Sequence, residues 1–242
     1  MANACRGNKI LVNKKTFLYD DIIVNITFVS DFDGTITDDD FFKYVKNTYF
    51  DDSALEPWRH YLAGKLTHFD ALKQIYAKLR IGECEIKEFI KKIRLDAWVI
   101  PVFKLCYDAR IPVYIASAGC DFYINLIIGS EIEKYKVNLV TNHSVYSQSS
   151  GLIMEKPPKD SLYYDENYGI SKKEVVRICQ NNGEHVIFAG DGLPDIEAAS
   201  LADVVFAKKK LFEKCVQKGI KTEVFNDYKD IYLYFEREIV KP

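Results

Sequence analysis

The stretch from Ile22 to Thr37 constrains this chain more than any other, and it ends in Phe28-Val29-Ser30-Asp31-Phe32-Asp33-Gly34-Thr35-Ile36-Thr37. Ile22 to Ser30 is a nearly unbroken run of β-branched and aromatic residues, the signature of a strand buried on both faces of a parallel sheet. It gives way to a glycine turn carrying two carboxylates one residue apart. Alternation along a strand points Asp31 and Asp33 the same way. At a strand end in an open α/β sheet, both then lie beside whatever binds in the crevice there. Two like charges so close are costly unless a cation or a shared proton compensates them. Alone, an Asp-x-Asp-Gly is better explained as a solvated turn, so its meaning depends on the rest of the chain.

Asp38-Asp39-Asp40 follows as a helix N-terminus signal, because carboxylates suit the first turn. From there to Tyr107 the spacing predicts helices only: Phe41 to Tyr49, Ala54 to Ala63, Thr67 to Leu79 with Thr67 as cap, Cys84 to Ile93, and Asp96 to Asp108. Phe69, Leu72, Ile75, Tyr76 and Leu79 recur at helical spacing. The sheet then resumes. Pro112 to Ser117 is a second buried strand broken by Ala118-Gly119, with Asp121 to Ile128 the helix after it. Val137 to Val140 and Leu152 to Met154 are predicted to pair locally, and Lys156 to Asp160 is loop. A helix runs from Ser171 to about Gln180. His185 to Ala189 is a third buried strand, ending in Gly190-Asp191-Gly192-Leu193-Pro194-Asp195. Helix Ile196 to Leu201, strand Val204 to Ala207, a short strand Thr222 to Phe225 and helix Tyr228 to Glu238 complete the pattern.

This alternation predicts an α/β protein with a doubly wound, Rossmann-like parallel sheet and an inserted all-helical cap. The expected division is an extension at 1–20, a core at 21–37 and 108–242, and a helical cap at 38–107. A chain of 242 residues, 48% hydrophobic, accommodates one domain plus such an insertion. Lys and Arg are dispersed and the net charge is -2, which gives no electrostatic footprint for nucleic acid. No apolar run approaches a membrane span, and the first residues have no apolar h-region of a signal peptide. Six scattered cysteines without a Cys-x-x-Cys pair indicate reduced thiols and a cytoplasmic protein. Oligomeric state has no signature here.

Three buried strands thus end in polar groups: Asp31 with Asp33, then Ser117, then Asp191 with Asp195 four residues on. In such a sheet these ends converge on one crevice. Converging carboxylates call for a hard cation, and oxygen ligands favour Mg²⁺. A hydroxyl at a strand-to-helix turn followed by small residues suits phosphoryl oxygens held by backbone N–H groups. Lys172, at a helix start, supplies the remaining positive charge. Each residue has a duller explanation on its own: Ser117 as a turn residue, Lys172 as a solvated lysine, Asp195 as a helix N-terminal charge. Their order and shared placement carry the reading.

Asp31-Phe32-Asp33-Gly34-Thr35, Ser117-Ala118-Gly119, Lys172 and Gly190-Asp191-Gly192-x-x-Asp195 resemble the four motifs of the haloacid dehalogenase superfamily of phosphatases. The helical insert between the first two motifs is similar to the cap of the phosphoserine-phosphatase-like branch. The resemblance implies Asp31 as the nucleophile that forms an aspartyl-phosphate. It implies Asp33 as the acid and then base, with Thr35 assisting. It implies Mg²⁺ held by Asp31, the backbone carbonyl of Asp33 and Asp191, with Asp195 close by. Ser117, Ala118, Gly119 and Lys172 would bind the phosphoryl group, with Lys173, Lys156 and Lys159 as competitors of Lys172. An acid at position 33 separates phosphatases and phosphomutases from the dehalogenases and transport ATPases of the superfamily. The implied substrate is a small phosphorylated metabolite.

Ser117-Ala118-Gly119-Cys120-Asp121-Phe122-Tyr123 departs from the Ser-Gly-Gly-Phe usual in phosphoserine phosphatases. With Asp195-Ile196-Glu197-Ala198-Ala199 it looks more like the enolphosphatases of methionine salvage. Asp40 stands where phosphoserine phosphatases place a carboxylate for the substrate amino group, and it is equally a helix-capping residue. Phe41, Phe42, Trp58 and Arg59 are candidates for the pocket wall or for the bundle core. A phosphotransferase or phosphomutase would share every motif, and a non-catalytic binding module would have lost one of Asp31, Asp33 or Asp191.

Overall fold

The computed structural model describes residues 17–19 and 22–239. Strand β1 (Phe17–Tyr19) pairs antiparallel with the start of β2 (Ile22–Ser30). The sequence expectation of a loosely docked extension at 1–20 otherwise falls outside the described residues. Phe28 and Val29 on β2 are both fully buried, on opposite faces. Phe28 packs with Phe103 and Phe235, and Val29 with Val175, Ala198 and Leu211. This two-sided burial is why the strand reads as a continuous apolar run.

Helices α1 (Phe41–Tyr49), α2 (Glu56–Leu62), α3 (His68–Tyr76), α4 (Glu83–Ile90) and α5 (Val99–Ala109) follow β2, the first four forming the insert. Their caps are those the sequence suggests: the Asp40 carboxylate accepts from Phe42 N, and Thr67 Oγ1 from Asp70 N. Strand β3 (Val113–Cys120), helix α6 (Asp121–Lys134) and strands β4 (Asn138–Ser147) and β5 (Gly151–Glu155) come next. A small hairpin, β6 (Tyr164–Asp165) and β7 (Gly169–Ile170), leads into α7 (Lys172–Asn181). The chain closes with β8 (Glu184–Gly190), a 3₁₀ turn at Leu193–Asp195, α8 (Ile196–Ala199), β9 (Val204–Ala207), α9 (Lys209–Lys218), β10 (Glu223–Val224) and α10 (Tyr228–Tyr234), which continues as a π-helical turn at Phe235–Ile239.

The sheet order is β10-β9-β8-β2-β3-β4-β5, parallel throughout except for β5. The expected doubly wound sheet is therefore present. Apolar residues of α7, α8 and α9 cover one face, and those of α5, α6 and α10 the other. Among the described residues no helix is long and apolar enough to cross a membrane. Cys84, Cys106, Cys120, Cys179 and Cys215 are free thiols.

Several local expectations need correction. Strand β3 does not break at Ala118-Gly119. It continues to Cys120 through a register shift against β4 after Ser117, a bulge that absorbs the glycine. Val137 to Val140 is not half of a local pair. Residues 138–142 run parallel to β3, and only 143–147 turn antiparallel onto β5. Helix α9 was hidden in the sequence because its lysine-rich start masks the short apolar stripe of Leu211 and Cys215. Finally, β2 ends at Ser30, so strand alternation does not aim Asp31 and Asp33. Both lie in the turn beyond it, where Gly34 at φ +74° reverses the chain.

Candidate active site

The ends of β2, β3 and β8 meet at a cavity of about 100 Å³ whose wall on the far side comes from α1, α2 and α3. Every strand-end residue singled out in the sequence borders it: Asp31, Asp33, Ser117, Ala118, Gly119, Asp191 and Asp195, together with Asp40 and Lys172. Thr35 lies behind the wall and donates from Oγ1 to Asp31 Oδ2 at 3.1 Å.

Lys172 opens α7, where the Ser171 cap and the buried Val175 and Val176 anchor the helix on the sheet. Its Nζ lies 2.5 Å from Asp31 Oδ1 and 2.6 Å from Asp195 Oδ1, with all three side chains almost fully buried. The competing lysines are elsewhere: Lys173 pairs with Glu197, Lys156 with Glu166, and Lys159 is exposed. The other oxygen of Asp195 accepts from the backbone N–H groups of Asp191 and Gly192 at 3.0 and 2.9 Å. Asp195 is thus a loop clamp as well as an ion partner.

Asp33 faces a different set of groups. Its Oδ1 accepts from Phe41 N at 3.1 Å, and its Oδ2 from Tyr123 Oη at 2.5 Å and Ser117 Oγ at 3.3 Å. Ser117 Oγ in turn accepts from Gly119 N at 3.0 Å. A Cβ on Gly119 would fall 1.6 Å from Tyr123 Oη, so the close approach of the tyrosine requires glycine there.

The charge balance is negative. Burial raises the pKa of Asp31 well above the carboxylate range, with Asp195 adding to the rise and Lys172 opposing it. Burial and Asp195 likewise raise Asp191, against Lys209. Burial disfavours the Lys172 ammonium, but Asp195 and Asp31 outweigh it and hold the lysine above its usual range. Asp31, Asp191 and Asp195 each offer one oxygen, all within 4.8 Å of one another. Such an all-oxygen, charge-excess set fits a hard divalent cation. Gly34 makes room for the Asp191 carboxylate, since a Cβ there would lie 2.5 Å from Asp191 Oδ2. The carboxylate of Asp33 is not part of this group.

Other residues here were given no role by the sequence. Lys209 Nζ reaches Gly34 O at 2.9 Å and Asp191 Oδ2 at 3.0 Å, while Lys208 Nζ reaches Thr35 O at 3.2 Å. Nothing in the sequence pointed to them, because α9 itself was not recognised. Tyr123 sits on the apolar face of α6 and reads as core. Of the proposed wall residues, Phe42 and Trp58 border the cavity, stacked at 4.4 Å between ring centroids. Phe41 instead stacks on Tyr123 inside the bundle, and Arg59 is exposed and away from the wall. His68, Leu72 and Tyr76 complete the wall.

This is the fold seen in solved phosphoserine phosphatases and in a haloacid dehalogenase family hydrolase, and in sequence the chain is similar to curated phosphatases. No family model matches the chain. Over 212 residues it is 25% identical to the 2-hydroxy-3-keto-5-methylthiopentenyl-1-phosphate phosphatase of Bacillus pumilus, covering 86% of this chain and 89% of that one. The enzyme of the same name from Bacillus cereus is 24% identical over 210 residues, covering 86% and 94%. Among solved structures, a substrate-bound phosphoserine phosphatase superposes with a TM-score of 0.62 at 17% identity, covering 88% of this chain and 99% of that one. A haloacid dehalogenase family hydrolase from Salmonella enterica gives 0.65 at 14% identity, covering 89% and 73%.

Proposed function

We propose that this protein is a cytoplasmic, Mg²⁺-dependent phosphomonoester hydrolase that acts on a small phosphorylated metabolite through an aspartyl-phosphate on Asp31. Within the expected insert at 38–107, helices α1 to α4 act as the cap, while α5 packs on the sheet of the core formed by 21–37 and 108–242. The observation that carries the reading is the pair of separately held carboxylates: Asp31 in contact with Lys172 and Thr35, and Asp33 in contact with Ser117 and Tyr123. Two acids in different environments can take different roles.

An oxygen of Asp31 attacks phosphorus as the ester P–O bond breaks, and Asp33 gives its proton to the departing alkoxide. Asp33 then takes a proton from water, whose oxygen attacks the phosphorus and releases phosphate from Asp31. Ser117, the backbone N–H groups of Ala118 and Gly119, and Lys172 hold the phosphoryl oxygens. Asp40 contacts the leaving group. Asp31, Asp191, the backbone carbonyl of Asp33 and nearby Asp195 would hold Mg²⁺, which supplies positive charge to the phosphoryl oxygens. The names of the relatives support 2-hydroxy-3-keto-5-methylthiopentenyl-1-phosphate as substrate. The solved-structure likeness and Asp40 at the cavity support phosphoserine as a second reading.

A phosphate-release screen with Mg²⁺ tests this, comparing wild type with Asp31→Asn on phosphoserine, phosphoethanolamine, sugar phosphates, nucleotides and the methylthio enol-phosphate. Release that Asp31→Asn abolishes is expected. Near-full turnover by a contaminant-free Asp31→Asn preparation would refute the covalent mechanism.

A further inference from the structure

His68 stands at the first position of α3, beside the residues that would hold the phosphoryl group, in a wall otherwise built of Asp40, Phe42, Trp58, Leu72 and Tyr76. Its ring is boxed by aromatic neighbours, with centroids of Trp58 at 5.7 Å, Tyr61 at 5.3 Å and Tyr168 at 5.2 Å. Nδ1 is sealed from solvent without a hydrogen-bond partner, and among the described residues Nε2 has none either. A buried polar atom left unpaired in a native site is costly and calls for an explanation. Burial, reinforced by the charge of Lys172, pushes the His68 pKa down to about 4, so at neutral pH the ring is uncharged. Neutral imidazole carries one donor and one acceptor. Sealing a bare lone pair at Nδ1 costs less than sealing an N–H there, which leaves Nε2–H as the free donor.

Charge on this wall is equally informative. None of the six insert residues that border the cavity is a lysine or arginine. The cation that does border it, Lys172, is already engaged by Asp31 and Asp195. A leaving group bearing a carboxylate would therefore bury that charge without a partner, which is strongly unfavourable.

We propose that His68 is the specificity-determining residue of this cavity: it donates a hydrogen bond to an uncharged oxygen, carbonyl or hydroxyl, on the leaving group of an otherwise apolar organic phosphate, while the cation-free wall around it rejects leaving groups that carry a carboxylate. This rests on the phosphatase reading above and sharpens it against phosphoserine.

The test is steady-state phosphate release by the full chain with Mg²⁺ on four probes. Dihydroxyacetone phosphate and glycerol 3-phosphate offer carbonyl or hydroxyl oxygens, phosphoserine adds a carboxylate, and p-nitrophenyl phosphate, whose nitro group is only a weak acceptor, serves as the reference. Wild type is expected to favour the first two over phosphoserine in kcat/KM by at least about tenfold. His68→Phe is expected to lower the ratio of dihydroxyacetone phosphate to p-nitrophenyl phosphate by about tenfold, mostly through KM, with His68→Gln restoring part of it through its amide donor. A wild-type preference for phosphoserine overturns the proposal without any variant. An unchanged ratio in a folded His68→Phe also overturns it and leaves the phosphatase reading standing. Absence of Asp31-dependent release from all four probes, p-nitrophenyl phosphate included, removes both.

Discussion

The hydroxyl of Tyr123 donates to Asp33 Oδ2 at 2.5 Å, and the tyrosine ring stacks on Phe41, whose backbone N–H donates to the other oxygen of the same carboxylate. Asp33 is gripped from both sides by α1 and α6. An acid that protonates a leaving group is only as useful as its placement. Tyr123→Phe is therefore expected to lower kcat about tenfold on an alkyl phosphate, whose leaving group needs a proton, and much less on p-nitrophenyl phosphate, whose leaving group does not. Equal losses on both substrates would mark Tyr123 as packing only. Gly119→Ala is expected to disturb the same contact at least as severely, because its Cβ would displace the tyrosine hydroxyl.

Lys172 and Lys209 both meet the acidic cluster, but in different surroundings. Lys172 is 6% exposed between two buried carboxylates, while Lys209 is 44% exposed. Removing a buried partner strands the remaining charges, so Lys172→Met should cost about 3–5 kcal/mol of stability. Lys209→Met should cost at most about 1 kcal/mol, since solvent already screens that pair. Denaturant unfolding in chelator and in Mg²⁺ checks both, and the cation is expected to recover part of the Lys172→Met loss. Equal costs for the two lysines would contradict the charge balance described above.

Mg²⁺ titration provides a separate check on the acidic group. Asp191→Asn is expected to raise the Mg²⁺ concentration for half-maximal activity about tenfold or more while leaving measurable turnover at saturation. Gly34→Ala should show the same shift, because its Cβ would crowd Asp191 Oδ2, together with a stability loss of about 1–2 kcal/mol from the left-handed backbone. An unchanged Mg²⁺ dependence in both would place the cation elsewhere.

Asp40 and His68 carry opposite pH signatures. Burial and Asp33 raise Asp40 from 3.8 to about 7, so its protonation favours the fold fully below pH 3.8 and that support is lost as pH rises through 7. His68 falls from 6.5 to about 4, so the neutral ring favours the fold above pH 6.5 and that support is lost as pH falls through 4. Relative to wild type, Asp40→Asn should lose stability on acidification from pH 7, and His68→Phe should gain it from pH 6.5. The limiting slope is one proton, about 1.4 kcal/mol per pH unit. Urea midpoints measured across this range decide the sign for each variant.

The local elements were legible wherever apolar spacing and end signals agreed. The bounds of β2 and α1 and the Thr67 cap match the sequence reading, because a buried parallel strand and a capped amphipathic helix write their burial directly into residue order. Elements whose pairing partners are remote in the chain were not legible in this way. Strand β4 changes partner along its length, and α9 shows too narrow an apolar stripe to stand out among lysines.

By itself the sequence determined a doubly wound sheet, a helical insert after the first motif, and polar residues at three strand ends. Periodicity and turn chemistry act over a few residues, and those features are local. Only the tertiary structure decided which lysine meets Asp31, a contact spanning 141 positions in the chain. It alone brought Tyr123 to Asp33 and left His68 unpaired in an aromatic wall. Those contacts arise from the way α1, α3, α6 and α7 dock around the strand ends. Docking depends on the packing of whole faces, which residue spacing along one helix does not encode.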